Sequence, residues 1–205
     1  MAGIYIHIPF CKQACYYCNF HFSTTKNHNI LIKSIQDEIY LKKKFLNKEK
    51  IGSIYFGGGT PSLIKSQYIK QIIETLKAHF IIKSNCEITL EANPDDINNQ
   101  KLKIWKKLGI NRLSIGIQTF DNAILKSMNR SHNSLLAKKA LKKIKTQFNN
   151  FINTLTSTNL RNIHIANLFI GYTQKDKITG SNMHCGGSGN FFCMIRGQKH
   201  WTLIN

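Results

Sequence analysis

From Gly3 to Ile8 apolar and polar residues alternate, the period of a strand with one buried face. The strand runs directly into a cysteine-containing loop. Asn29 to Phe45 then places Ile32, Ile35 and Ile39 at helical spacing, with Leu46 continuing that stripe and polar residues opposite. Ser53 to Phe56 is a short apolar run that ends at Gly57-Gly58-Gly59-Thr60-Pro61, which predicts a strand and a turn. Ser66 to Phe80 is periodic, with Ile69, Ile72, Ile73 and Leu76 on one side. Cys86 to Leu90 alternates and ends at Glu91-Ala92-Asn93-Pro94. Asn98 to Leu108 is helical and stops at Gly109, a C-terminal cap. Arg112 to Ile117 is strand-like and ends at Gln118, and Leu135 to Ile144 is helical again.

Strand, loop and helix therefore repeat four times between residues 3 and 145. That order predicts an α/β protein built from βαβ units around a parallel sheet. Right-handed crossovers would wind it into an open sheet or part of a barrel. Chemistry in such folds sits on loops beyond the C-terminal ends of strands. The cysteine loop, the glycine loop, Glu91 and Gln118 all fall there.

Cys11, Cys15 and Cys18 lie in Tyr5-Ile-His-Ile-Pro-Phe-Cys-Lys-Gln-Ala-Cys-Tyr-Tyr-Cys18. A closed zinc site takes four ligands, so zinc would need His7 or His21 as well. A disulfide set is a further reading, disfavoured inside a cell. A four-iron cubane has four corners, and three local thiolates would leave one iron open to a small molecule.

Three glycines after a strand let backbone approach a ligand and expose N–H groups. The alternative is a tight turn capped by Thr60. Glu91 can accept from a ribose hydroxyl or pair with an ammonium, while Asp95 or Asp96 would cap the following helix. Gln118 offers a donor and an acceptor, and Arg130 could hold an anion. His132 is expected at the surface, His7 in a barrel interior and Cys86 as a small core residue. Cys185 and Cys193, with His184 and His200, match no common zinc spacing.

The chain has 205 residues and 42% hydrophobic content, enough for one domain with a sizeable core. Its formal charge is +19, from 29 basic and 10 acidic residues. The excess is lysine spread along helices among isoleucine and asparagine, without an arginine block or an aromatic-plus-basic strand. That distribution points away from nucleic-acid binding. No charged-then-apolar leader opens the chain and no run of about eighteen apolar residues occurs, so a cytoplasmic protein without a membrane span is expected.

The combined segments carry a resemblance. They are Tyr5-Ile-His-Ile-Pro-Phe-Cys11 with its Cys-x3-Cys-x2-Cys run, Ser53-Ile-Tyr-Phe-Gly-Gly-Gly-Thr-Pro-Ser62, Glu87-Ile-Thr-Leu-Glu-Ala-Asn-Pro-Asp95, Asn111-Arg-Leu-Ser-Ile-Gly-Ile-Gln-Thr-Phe-Asp121 and Met128-Asn-Arg-Ser-His132. From residue 3 to about 145 the chain resembles the radical S-adenosylmethionine family, and within it the HemW haem chaperones. The resemblance implies an incomplete partial (β/α) barrel of four βα units and an irregular tail. It implies a [4Fe–4S] cluster on Cys11, Cys15 and Cys18. It also implies S-adenosylmethionine contacts from Tyr5, Tyr17, Gly58, Gly59, Thr60, Glu91, Gln118 and Arg130. In that family the cofactor carries the hard step, splitting the sulfonium to give a deoxyadenosyl radical. Haem or a porphyrin, an electron donor and a haem acceptor would be the partners. Oxygen-independent coproporphyrinogen III dehydrogenase is the alternative. Those enzymes carry a cysteine two places after the third, where this chain has Phe20, and a longer segment before the cluster.

The chain is expected to divide into a core over residues 1–147 and a divergent tail over 148–205. Phe148 to Asn159 lacks the family's Asp-Leu-Ile-Tyr-Gly-Leu-Pro strand end, and the His-Asn-x-x-Tyr-Trp run of the chaperones is absent. This departure implies weak or no haem binding and activity lost with the C-terminal part, with loose order over about 175–205. It also predicts an uncovered sheet edge and an apolar inner sheet face.

Overall fold

The computed structural model describes residues 2–147 apart from residues 26 and 47. Four strands alternate with helices: β1 (Ala2–Ile8), α1 (His28–Leu41), β2 (Ile51–Gly58), α2 (Ser66–His79), β3 (Ile82–Ala92), α3 (Asn99–Lys107), β4 (Arg112–Ile115), α4 (Asn122–Ser127) and α5 (Ser134–Gln147). Every predicted element is present. The strand β3 starts four residues earlier than its apolar alternation suggests, through the polar run Lys83-Ser84-Asn85. The helix α4 was not expected, because six residues are too few to show a helical period. The expected tail, with Cys185, Cys193, His184 and His200, lies outside the described residues.

The strands form one sheet in the order β1-β2-β3-β4, all parallel. Sequential order with right-handed crossovers puts the helices on one face. Successive helices touch: α1 with α2, α2 with α3, and α3 with α5. Ile6, Ile8, Ile54, Phe56, Ile88, Leu90, Leu113 and Ile115 are buried in the single core that forms between sheet and helices. The helices contribute Ile69, Ile72, Ile73 and Leu76 from α2 and Leu102 and Trp105 from α3.

The other face of the sheet differs from the expectation. It is polar, not apolar, because the strand residues on it are hydrophilic, tyrosine or glycine. Tyr5, Tyr55, Thr89 and Arg112 form one row in register across all four strands, and Glu91 pairs with Ser114 one step further on. The Arg112 guanidinium donates to Glu87 at 2.8 Å on the same face. Parallel strands covered on both sides read as continuous apolar runs. These strands alternate, and the alternation marks one face as not packed on a core.

Helix ends set the loop directions. Gly109 has φ +91°, and the N–H groups of Gly109 and Ile110 donate to Lys106 and Trp105 carbonyls. This is a Schellman cap, the termination expected from the glycine. The same pair of bonds closes α4, with Asn129 at φ 54° in place of glycine. That reversal sends Arg130 back towards the ends of the strands.

Candidate functional site

The cysteine loop leaves β1 and is tied down on three sides. Cys11 N–H donates to the Ser23 carbonyl at 2.9 Å, and Ser23 N–H donates to Pro9 at 2.7 Å. The Gln13 amide donates to the Asn129 carbonyl at 2.7 Å, and the Asn129 amide returns a bond to the Ala14 carbonyl at 2.6 Å. Tyr16 N–H reaches the Met128 carbonyl at 3.2 Å. The Met128–His132 segment is therefore docked on the cysteine loop, more than a hundred residues away in sequence.

Cys11, Cys15 and Cys18 are partly exposed free thiols on this loop. Burial pushes the Cys11 thiol above its ordinary value. The Thr60 hydroxyl, 3.5 Å from its sulfur, opposes this; Cys18 and Cys15 add to it, and Arg130 opposes it. The three thiols therefore sense one another. A tetrahedral zinc site, with Zn–S of about 2.3 Å, would bring its sulfurs to about 3.8 Å from one another. Among the described residues no three His, Cys, Asp or Glu side chains are placed to hold one metal ion.

The glycine loop after β2 backs onto the cysteine loop. Gly59 N–H donates to the Ile8 carbonyl at 2.9 Å. A Cβ at Gly59 would lie 2.8 Å from the Pro9 carbonyl and 2.9 Å from the Cys11 sulfur. Only glycine permits that approach. Gly58 has φ +116°, and a Cβ there would meet the His7 ring at 2.9 Å and the Ile8 carbonyl at 3.0 Å. Thr60 makes no capping bond; its hydroxyl faces Cys11 instead.

Glu91, half-buried at the end of β3, accepts from the Tyr55 hydroxyl at 2.6 Å and from Gly58 N–H at 3.2 Å. Burial raises its pKa, and those two donors offset part of the rise. The Tyr55 hydroxyl is pushed up strongly by burial and by the Glu91 charge. Tyr5 lies across from Tyr55, ring centroids 5.9 Å apart, and its hydroxyl is 3.2 Å from His7 Nδ1. His7 faces this polar side of the open sheet.

Arg130 joins the other loops. One terminal nitrogen donates to the Cys15 sulfur at 3.4 Å and the Tyr17 hydroxyl at 3.2 Å. The other donates to Asn93 Oδ1 at 2.8 Å and the Gly116 carbonyl at 2.7 Å. Its Nε is buried without a partner among the described residues. Burial pushes the Tyr17 hydroxyl up to about 12 despite the guanidinium. Gln118 is buried and left-handed, with φ 66°, in the same turn as Gly116.

Two expectations change. His132 is not at the surface: it is 3% exposed, its Nε2 lies 3.1 Å from the Ile117 carbonyl, and burial beside Arg130 lowers its pKa to about 4. Asp95 and Asp96 do not cap α3. Asn98 does, accepting from Lys101 N–H at 2.8 Å, while the aspartates pair with Lys12. Cys86 is buried as expected, and burial lifts its thiol to about 11. Lys12, Tyr55, Asn93 and Asn129 escaped sequence reasoning, since each acts on a partner far along the chain.

The radical SAM superfamily profile matches residues 5–166. The chain belongs to the radical SAM superfamily. It is 39% identical over 157 residues to a haem chaperone HemW from Buchnera aphidicola subsp. Schizaphis graminum (strain Sg), across 72% of this chain and 41% of that protein. It is 32% identical over 143 residues to the haem chaperone HemW of Escherichia coli (strain K12), across 68% and 38%. The solved coproporphyrinogen III oxidase (HemN) from Escherichia coli, a radical SAM enzyme, superposes with a TM-score of 0.66 at 25% identity, over 70% of this chain and 34% of that one. The chain spans about two fifths of the length of the curated relatives it matches. The open four-stranded parallel sheet is the fold the sequence predicted. Membership of the superfamily implies a [4Fe–4S] cluster and S-adenosylmethionine as cofactors. No described helix is long and apolar enough to cross a membrane.

Proposed function

We propose that Cys11, Cys15 and Cys18 hold a [4Fe–4S] cluster with one iron open, and that Tyr5, Tyr17, Gly58, Gly59, Thr60, Glu91, Gln118 and Arg130 form the rim that takes S-adenosylmethionine. One observation carries this reading: the cysteine loop meets the glycine loop, Glu91 and Arg130 at the same end of the sheet. When bound, the cluster supplies the electron that S-adenosylmethionine chemistry requires. The protein groups do the positioning. Arg130 places a cation 3.4 Å from the Cys15 sulfur, joining that thiol to the rim. Tyr55 and Gly58 orient Glu91, whose buried carboxylate would be drawn into its charged form by an ammonium.

For the whole protein we propose a role in haem metabolism, as a cytoplasmic haem chaperone that passes haem to an acceptor and takes electrons from a donor. The curated relatives named for haem chaperoning support this. The likeness to coproporphyrinogen III oxidase supports a second reading, oxidative decarboxylation of a porphyrinogen. Phe20, 57% exposed beside the cluster loop, stands where the dehydrogenases resembled above carry a further cysteine. The division between residues 147 and 148 is part of the proposal, and mapping the first sites of limited proteolysis checks it.

Anaerobic reconstitution tests the cluster. Full-length protein should load about four irons and give a paramagnetic signal that shifts on adding S-adenosylmethionine, and Cys15→Ala should abolish both. Stoichiometric zinc with no iron uptake refutes the cluster. Haem titration by absorbance and carbon dioxide release from coproporphyrinogen then separate the two roles.

A further inference from the structure

Lys12, between the first cysteine and Gln13, makes two ion pairs. Its ammonium lies 2.6 Å from Asp95 Oδ2 and 2.6 Å from Asp96 Oδ1. The Asp96 side chain is only 3% exposed and that of Asp95 12%. Two adjacent buried carboxylates repel each other, and a buried charge stripped of its partner is strongly destabilising. The aspartates therefore hold Lys12 where it is. The pair extends into a network. Asp96 Oδ2 accepts from the Ser62 hydroxyl at 2.7 Å, and the Ser62 oxygen accepts from Asn93 N–H at 3.2 Å. Asp95 Oδ1 accepts from the Ser131 hydroxyl at 3.1 Å, and Lys101 donates to the Ser62 carbonyl at 2.7 Å. Ser62 follows the glycine loop, Asn93 follows Glu91, and Ser131 follows Arg130. The glycine loop, the Glu91 loop and the Arg130 segment are thus joined to this network, and Lys12 ties the cysteine loop to it.

We infer that Lys12 is a positioning residue for the thiols: its ammonium latches the cysteine loop to the Asp95–Asp96 turn, holding Cys11 against the glycine loop and Cys15 beside Arg130 before any metal arrives. The inference rests on the proposed cluster only for what the thiols later hold. The placement of the thiols can be read without metal.

The test uses the metal-free full-length chain, reduced, with iodoacetamide labelling mapped cysteine by cysteine. Cys86, buried in β3, is the internal reference for global opening. Lys12→Met should label at Cys11, Cys15 and Cys18 roughly tenfold faster than wild type, the scale of one lost charge-assisted contact in local opening, and in both proteins the three should react far faster than Cys86. Lys12→Arg should restore slow labelling. After reconstitution, Lys12→Met should lose iron to a chelator faster than wild type. Equal labelling of Lys12→Met and wild type overturns the inference. So does labelling of the three thiols no faster than that of Cys86, which would mean that they react only through global opening. If no variant, wild type included, takes up iron, the cluster reading fails while the labelling still decides the latch.

Discussion

Tyr55 and Phe56 are neighbours on β2 and live in different environments. Phe56 faces the helices and is fully buried among isoleucines and leucines. Tyr55 faces the polar side, stacked near Tyr5, with its hydroxyl on Glu91. The same division runs along every strand. One face is a packed core in which no polar atom is needed. The other carries hydroxyls, carboxylates and a guanidinium bonded to one another. The difference teaches what the alternating pattern means in a parallel sheet. Covering both faces with helices would demand apolar residues throughout, so the polar face is space kept for something other than side-chain packing.

The comparison can be broken most forcefully from its packed side. Phe56→Ala removes a fully buried ring and should cost about 3–5 kcal/mol of stability, read from urea melts of metal-free protein. A loss below about 1 kcal/mol would mean that this face is not the core. His132 sharpens the comparison next. It is polar, yet as buried as the core, with Nδ1 unpartnered among the described residues. Its pKa falls from an ordinary value near 6.5 to about 4 in the fold, so the unfolded chain binds the extra proton first. Its contribution is complete above pH 6.5 and is lost as pH falls towards 4, by up to about 3 kcal/mol. His132→Gln should flatten that part of the stability–pH curve; an unchanged slope would refute it. The smallest effect belongs to the polar side. Tyr55→Phe deletes one hydroxyl and should cost only ~1 kcal/mol, while weakening S-adenosylmethionine binding in calorimetry through a less firmly held Glu91. A melt shifted as far as that of Phe56→Ala would erase the distinction between the faces.

Much of this was legible in the sequence because it is written locally. Apolar period, glycines and the chain order of strand, loop and helix set the fold, and the cysteines, the glycine loop, Glu91 and Gln118 could be placed at strand ends from that order alone. The rest depends on distance. Lys12 meets Asp95 across 83 positions, and Asn129 meets Ala14 across 115. Neither pairing leaves a periodic trace. The aspartates had a plausible local task as helix caps, and Asn98 performs it. His132 follows a polar run and gives no local sign of burial; it is buried because the Asn129 reversal turns the chain inward. The polar inner face was present in the alternation itself, but the expectation of a half-barrel with a bare apolar lumen obscured it.

Gln118 has a consequence for how substitutions at one position divide. Its backbone sits at φ 66°, where glycine and asparagine rest easily and a side chain branched at Cβ does not. A library of all amino acids at 118 thus contains two separable kinds of failure. Glycine and asparagine keep the turn and lose only the longer amide. Valine and isoleucine lose the turn itself, and with it the path of the chain towards Arg130. Backbone ease and side-chain identity pull in opposite directions here, and glutamine is the residue that gives up the first to keep the second.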